Sequence, residues 1–168
     1  MFGGKIELPL MVRASEGAGL NAAAQHSKTI HTLLGNLTGV KVVAPGSPAA
    51  AKGLTKSAIR SDDPVFFLEN KMMYSQKGEV PTSDDFVVPI GEANVERQGE
   101  DVTIVASQAL VPKSLEVAED LDGDVSVEVI DLRSIYPMDT DTITESVQKT
   151  GRLVVADESP LSHGTHGE

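Results

Sequence analysis

In a chain without cysteine the residues able to move protons or ligate metals are histidines and carboxylates, and the sequence has four His. His26 stands in the string AAAQHSKTIH, just after the glycine-bearing stretch GAGLN. A strand read over IELPLMV would end at Arg13, Gly17 and Gly19 would allow a tight loop, and a helix would open near His26. The partial positive charge of a helix N-terminus disfavours imidazolium, and a neutral imidazole can accept a proton or hydrogen-bond a developing charge. The alternative is an imidazole satisfied by a backbone partner. His31 lies well around the same helix from His26 and is expected at the surface. His163 and His166 sit three apart in SHGTHGE without an evident third ligand for a metal. Asp120, Asp122 and Asp124 in EDLDGDV suggest a calcium loop, but Gly123 is misplaced for its sharp turn and no bidentate Glu follows at the right distance. A solvated turn is expected there.

The composition narrows the function classes. Lacking cysteine, the chain has no disulfides, zinc-thiolate sites, iron-sulfur clusters or thiol nucleophiles. A reducing, cytoplasmic setting is expected. No apolar run reaches the length of a membrane span, and MFGGKIELPLMVR lacks the basic-then-apolar pattern of a secretory signal. The net charge of -11 argues against a nucleic-acid binder, which needs a basic surface for phosphates. Its distribution is uneven: residues 1–60 hold seven Lys/Arg and two Asp/Glu, whereas residues 61–168 hold seven and twenty-three, giving +5 and -16. The second half therefore faces either solvent or a basic partner.

The elements that must position these residues alternate. The runs IELPLMV, VKVVA, PVFFLE, VTIVAS, VSVEVIDL and RLVVADE are nearly continuous and rich in Val and Ile, as strands covered on both faces are. Between them, residues 25–37, 48–59, 110–121 and 139–149 have helical spacing, with Pro48 in a first turn and Asp139 as an N-cap. Strand and helix in alternation predict an α/β fold. The rhythm breaks over residues 71–100, which carry Pro81 and Pro89 and are read as a linker with an extended strand at Phe86–Ile90. Both ends read as cut, because MFGGK enters a strand almost at once and SHGTHGE stops where another helix would begin.

Four strings fall in a specific order: AAAQHS, then GVKVVAPGSPAAAKGLTKSAIRSDDPVFFLENKMMY, then PIGEANVERQGEDVTIVA, then VIDLRSIYPMDTDTI. In this combination the chain closely resembles, almost from end to end, the beta subunit of the thiamine-diphosphate-dependent decarboxylating component of 2-oxo acid dehydrogenase complexes, in the transketolase superfamily. The resemblance implies the C-terminal half of a parallel-sheet pyrimidine-binding domain over residues 1–70, a linker over 71–100, and most of a transketolase C-terminal α/β domain over 101–168. It implies that His26 lies near the thiazolium end of the cofactor and assists acyl transfer to a lipoyl dithiolane, with Gln25 beside it as a cofactor contact. Lys28 stands where the family more often has Gln.

The same resemblance implies a monovalent cation, such as potassium, on the backbone carbonyls of Leu10, Ala58, Ile59, Ser61 and Asp63; an ordinary helix C-terminal turn before Pro64 explains the string equally well. It places the catalytic Glu upstream of this sequence, and the magnesium and diphosphate motif on an alpha subunit. Expected partners are that alpha subunit, a second beta subunit and a lipoyl acyltransferase core, whose basic subunit-binding domain would meet acidic patches at Asp120–Asp124 and Asp157–Glu158. Arg133 and Asp139 are read as structural, Asp139 as a cap and Arg133 as a partner for a carboxylate at a domain contact. Alternatives are an acetoin dehydrogenase beta subunit and, from another class, a non-catalytic assembly module.

Overall fold

The structure, a computed structural model, describes residues 6–162 and 164–167. His163 lies outside the described residues, and with it the His163/His166 pair. The architecture is the α/β arrangement expected, built on two mostly parallel sheets.

In the first sheet, β1 (Met11–Glu16), β2 (Lys41–Val43) and β3 (Val65–Asn70) run parallel in the order β1-β3-β2. The first strand begins later than IELPLMV suggests. Pro9 has no N–H for a ladder, and pairing with β3 starts at Met11↔Val65, leaving Ile6, Leu8 and Leu10 exposed. The helix expected over residues 25–37 is instead two short pieces, α1 (Ala23–His26) and α2 (His31–Gly35). Helix α3 (Pro48–Ile59) follows the sequence expectation. The Ser47 hydroxyl accepts from the N–H of Ala50 at 3.1 Å, and Pro48 fills the first turn.

No ladder forms at Phe86–Ile90. That segment packs on α3: Val88 is buried, a Cβ on Gly53 would stand 2.5 Å from Val88 Cγ2, and Ser57 Oγ donates to the carbonyl of Val88 at 2.5 Å. Its core-facing side chains and the Val88 carbonyl are thus engaged by α3 rather than by a neighbouring strand. The strand of this region is β4 (Asn94–Arg97), which runs antiparallel to β6 (Val127–Asp131).

The second sheet has the order β4-β6-β5-β8, where β5 (Val102–Ala106), β6 (Val127–Asp131) and β8 (Leu153–Ala156) are parallel. Every residue of β6 is buried, Val127, Val129 and Ile130 in the core and Glu128 paired with Lys149, as befits a strand inside the sheet. Helices α4 (Leu110–Asp120) and α5 (Thr140–Thr150) pack against it, and α5 begins where Asp139 accepts from the N–H of Thr142 at 3.1 Å, as the sequence indicates.

One short strand joins the halves. β7 (Ser134–Tyr136) leaves the end of β6 and pairs antiparallel with β2 in the first sheet. Val42, Ala44 and Leu68 thereby share one buried cluster with Val105, Ile130, Leu132 and Ile135. Full burial of each Val, Leu or Ile contributes roughly 1.5–3 kcal/mol. Such a seam is held as a core, and side chains at its rim inherit fixed positions.

Candidate functional site

The His26 loop leaves β1 through Gly17, whose φ of 113° suits glycine and whose added Cβ would lie 2.8 Å from Asn70 Oδ1. It returns where the N–H of Gly17 donates to the carbonyl of Lys28 at 3.0 Å, closing an excursion of residues 17–28. At its tip the Ser27 hydroxyl accepts from the N–H of Ala22 at 2.7 Å, and Lys71 Nζ donates to the carbonyl of His26 at 2.8 Å. Gln25 and His26 are both exposed. His26 thus closes a single helical turn rather than opening a helix, and the dipole argument for its position does not apply.

Beneath the loop lies the arrangement that sequence reasoning missed. His31, expected at the surface, is 1 % exposed. Its Nδ1 stands 2.9 Å from Glu16 Oε1 and its Nε2 stands 3.2 Å from Asp157 Oδ1. Glu16 Oε2 accepts from the N–H groups of Ile30 and His31 at 2.7 and 3.2 Å, and this is why the helix breaks after His26. The carboxylate takes the donors that would otherwise be orphaned at the start of α2. The far carboxylate is equally engaged: Asp157 Oδ2 accepts from the hydroxyls of Ser159 and Thr165. Next to it, Glu158 Oε2 accepts from the N–H of Ala18 at 3.2 Å and from Asn70 Nδ2 at 3.0 Å, while its carbonyl accepts from the hydroxyl of Thr29 at 3.4 Å.

Burial by itself would push the His31 imidazole down, but hydrogen bonds to Asp157 and Glu16 outweigh it and raise the pKa to about 9. The ring is then an imidazolium at neutral pH and donates from both nitrogens. Burial works against the ionised form of Asp157 as well, yet the bonds from His31, Ser159 and Thr165 prevail and hold its carboxyl well below the usual range. Asp131, at the end of β6, moves the other way. Burial pushes it up to about 7, only partly offset by the Arg133 N–H and charge and by the N–H of Gly46.

These placements revise the sequence reading in a further respect. Asp157 is buried and Glu158 half-buried, both turned to the His26 loop, so they form no acidic surface patch. Asp120, Asp122 and Asp124 are exposed, with Asp122 paired to Arg97 at 2.6 Å. Arg133 meets a carboxylate as expected, Glu96, at 3.7 Å. The one sequence signal for the buried triad is Glu16, one of only two acids in residues 1–60.

The carbonyl set Leu10, Ala58, Ile59, Ser61 and Asp63 surrounds the end of α3. Leu10 O accepts from the N–H of Val65 at 2.8 Å and Ala58 O from that of Ser61 at 3.3 Å. Lys41 Nζ stands 3.2 Å from Ser61 Oγ and 3.0 Å from Asp63 Oδ2, so an ammonium already faces this turn. Among the described residues no three His, Asp or Glu converge as a metal ion requires. Nor does this stretch suit the pyrimidine ring of a thiamine cofactor, which needs a free carboxylate: Glu16, Asp157 and Glu158, the acids at the loop, are all engaged. A cleft of about 510 Å³ between α3 and the sheet, bordered by Arg13, Lys52, Lys56, Glu69 and Tyr74, does not include His26 in its walls.

The glycine-hinged loop leaves a parallel sheet and is held by a second α/β unit, and comparison with known families finds two units in the same order. The family described as "Transketolase, pyrimidine binding domain" matches residues 1–77, and "Transketolase, C-terminal domain" matches residues 91–168. The chain belongs to the transketolase family. Within it, the chain is 48% identical to the acetoin:2,6-dichlorophenolindophenol oxidoreductase subunit beta of Cupriavidus necator, over 95% of this chain and 47% of that protein. It is 46% identical to the pyruvate dehydrogenase E1 component subunit beta of Rhizobium meliloti, over 94% and 35%. With the 2-oxoisovalerate dehydrogenase subunit beta of Bacillus subtilis it shares 43% over 89% and 46%. The chain spans about half the length, or less, of these relatives. A solved split-gene transketolase, described as an inactive beta4 tetramer, superposes with a TM-score of 0.81 at 28% identity, covering 98% of this chain and 54% of that one.

Proposed function

We propose that the whole protein is the beta subunit of a thiamine-diphosphate-dependent 2-oxo acid dehydrogenase, and that His26 assists transfer of the acyl group to lipoamide. The observation that carries this reading is an exposed imidazole on a loop whose underside is tied down by buried ion pairs, in a chain whose relatives are dehydrogenase beta subunits. Thiamine diphosphate, when bound, supplies the carbon nucleophile that attacks the keto group. Opening the dithiolane ring leaves a thiolate that needs a proton or a hydrogen bond, and the exposed imidazole of His26 would supply either. Gln25, exposed beside it, would contact the cofactor. The pyrimidine carboxylate and the magnesium are assigned to residues outside this sequence and to an alpha subunit, in keeping with the engaged acids here. Potassium at the Leu10, Ala58, Ile59, Ser61 and Asp63 carbonyls would have to share the turn with Lys41.

The functional division proposed is residues 1–70 as pyrimidine-binding unit, 71–100 as linker, although its β4 is a strand of the second sheet, and 101–168 as C-terminal unit, assembled with the alpha subunit, a second beta subunit and a lipoyl acyltransferase core, in the cytoplasm. No helix among the described residues is long and apolar enough to cross a membrane. A second reading, an acetoin dehydrogenase beta subunit, is supported by two acetoin:2,6-dichlorophenolindophenol oxidoreductase beta subunits at 48% and 46% identity. Replacing His26 with Ala in the assembled alpha–beta enzyme tests the first role: acylation of a lipoyl domain falls by about 10²- to 10⁴-fold, the range of a general acid. Unchanged acylation removes His26 from the reaction, and purified 2-oxo acids against acetoin as substrates decide between the two dehydrogenases.

A further inference from the structure

The His26 side chain is exposed, and apart from the tip bond from Lys71 to its carbonyl its position follows from the ends of the loop. Those ends are fastened from both halves of the chain. Glu16, on β1, binds the ring of His31 and the N–H groups of Ile30 and His31. Asp157, just beyond β8, binds the other ring nitrogen. Glu158 adds a bond to Ala18 at the outgoing end and, through its carbonyl, to Thr29 at the returning end. Filling this volume needs no charge; an apolar side chain would do it. A ring bonded at both nitrogens to carboxylates from different halves fixes direction as well as volume.

We infer that Glu16, His31 and Asp157 form a clasp through which the second half of the chain sets the position of the His26 loop, making His31 a positioning residue for transfer to the lipoyl group. This rests on the role of His26 proposed above. The clasp bears on lipoyl transfer more than on the earlier steps, because a loop displaced by about 1 Å costs a well-oriented reaction up to about a hundredfold. A small soluble oxidant does not need the loop.

The test uses the full-length beta subunit assembled with its alpha partner, as His31→Gln, Asp157→Asn and the double variant. Two quantities are read. One is amide hydrogen exchange across residues 17–30; the other is the ratio of lipoyl-domain acylation to reduction of 2,6-dichlorophenolindophenol, the dye in the names of two relatives. Each single variant speeds exchange in the loop and lowers the ratio on the order of tenfold. The double variant does no worse than the worse single one, since all three share one interaction. Unchanged exchange in folded variants overturns the clasp; so do two rates that fall in parallel, or effects that add. Should His31→Gln fail to fold, Glu158→Ala loosens the half-buried grip on Ala18 and Asn70 while leaving the His31 ring in place, and must raise loop exchange and lower the ratio; no change there overturns the inference. His26→Ala separates the two proposals: if it leaves acylation intact the catalytic role falls, while loop exchange in His31→Gln still decides the clasp.

Discussion

His31 Nε2 lies 3.2 Å from Asp157 Oδ1, joining residues 126 positions apart across the seam between the two sheets. The contact is buried on both sides, so solvent does not weaken it as it would a surface pair. A local sequence decision, breaking a helix after His26 so that Glu16 can cap the next, is thereby tied to the far end of the second half.

The clasp makes stability fall on the alkaline side. The His31 pKa is about 9 in the fold against 6.5 in the unfolded chain, so between those values the folded state binds the extra proton. Its contribution is complete below pH 6.5 and lost as pH rises through 9, in total about 3 kcal/mol by linkage. Asp157, shifted down, contributes above the ordinary carboxylate range and loses its part only in acid. Urea unfolding of the full-length chain at pH 7.5 and pH 9.5 shows this fall, and His31→Gln abolishes most of it; an equally steep fall in the variant assigns the effect elsewhere.

Gly46 is predicted to tolerate no side chain. A Cβ there would stand 2.6 Å from Asp131 Oδ2 and 2.7 Å from Val111 Cγ2, and the N–H of Gly46 donates to that same carboxyl at 3.2 Å. Gly46→Ala forces the end of β6 away from the turn before α3 and costs about 1–3 kcal/mol, the usual range for overpacking. Because Asp131 titrates near 7 from a raised value, its own contribution is present in acid and lost as pH rises from the ordinary carboxylate range to about 7. Gly46→Ala therefore destabilises with a changed pH slope between pH 4 and 7, read from unfolding curves; a uniform shift would mean the carboxyl is not involved.

Much of this was legible in the chain itself. The buried strands, α3, α4 and α5 sit within about a residue or two of where apolar periodicity, Pro48 and the Asp139 cap put them, because those elements are set by local propensity and by burial of one face. His26 could be singled out from its neighbours, but not its helical context. What decided that context was Glu16, and a carboxylate reaching across to backbone N–H groups 14 and 15 residues away leaves no periodic trace. The burial of His31 depends in turn on Asp157, and the strand at Ser134–Tyr136 depends on a free edge of β2. Phe86–Ile90 has the look of a strand and packs instead on α3, where Gly53 makes room for it.

Gly17→Ala tests the loop from its outgoing end. The substitution places a Cβ 2.8 Å from Asn70 Oδ1 at a φ of 113°, so it strains the backbone and displaces a side chain that also holds Glu158. The backbone term is of order 1–3 kcal/mol. Tm falls, and hydrogen exchange rises at residues 17–30 before it rises in β5 and β6. Equal exchange throughout would mean that the loop does not loosen independently of the core.

The charge of the second half makes a separate prediction about assembly. Asp157 and Glu158 are turned inward, which leaves Glu116, Glu119, Asp120 and Asp124 as exposed acids along the end of α4 and the turn after it. Asp122 is paired with Arg97 and is a weaker contributor. If a basic subunit-binding domain docks by charge, Asp120→Lys and Asp124→Lys in the full-length subunit each weaken binding by about two- to fivefold, the scale of an exposed ion pair, mainly through the association rate. They also reduce the loss of affinity between 50 mM and 200 mM salt, since fewer screened contacts remain. Surface plasmon resonance at both salt concentrations measures each quantity. Binding that keeps its affinity and its salt slope in both variants would place the docking surface away from α4, while an Asp157→Asn variant that binds normally but loosens the His26 loop would confirm that the two groups of acids serve different ends.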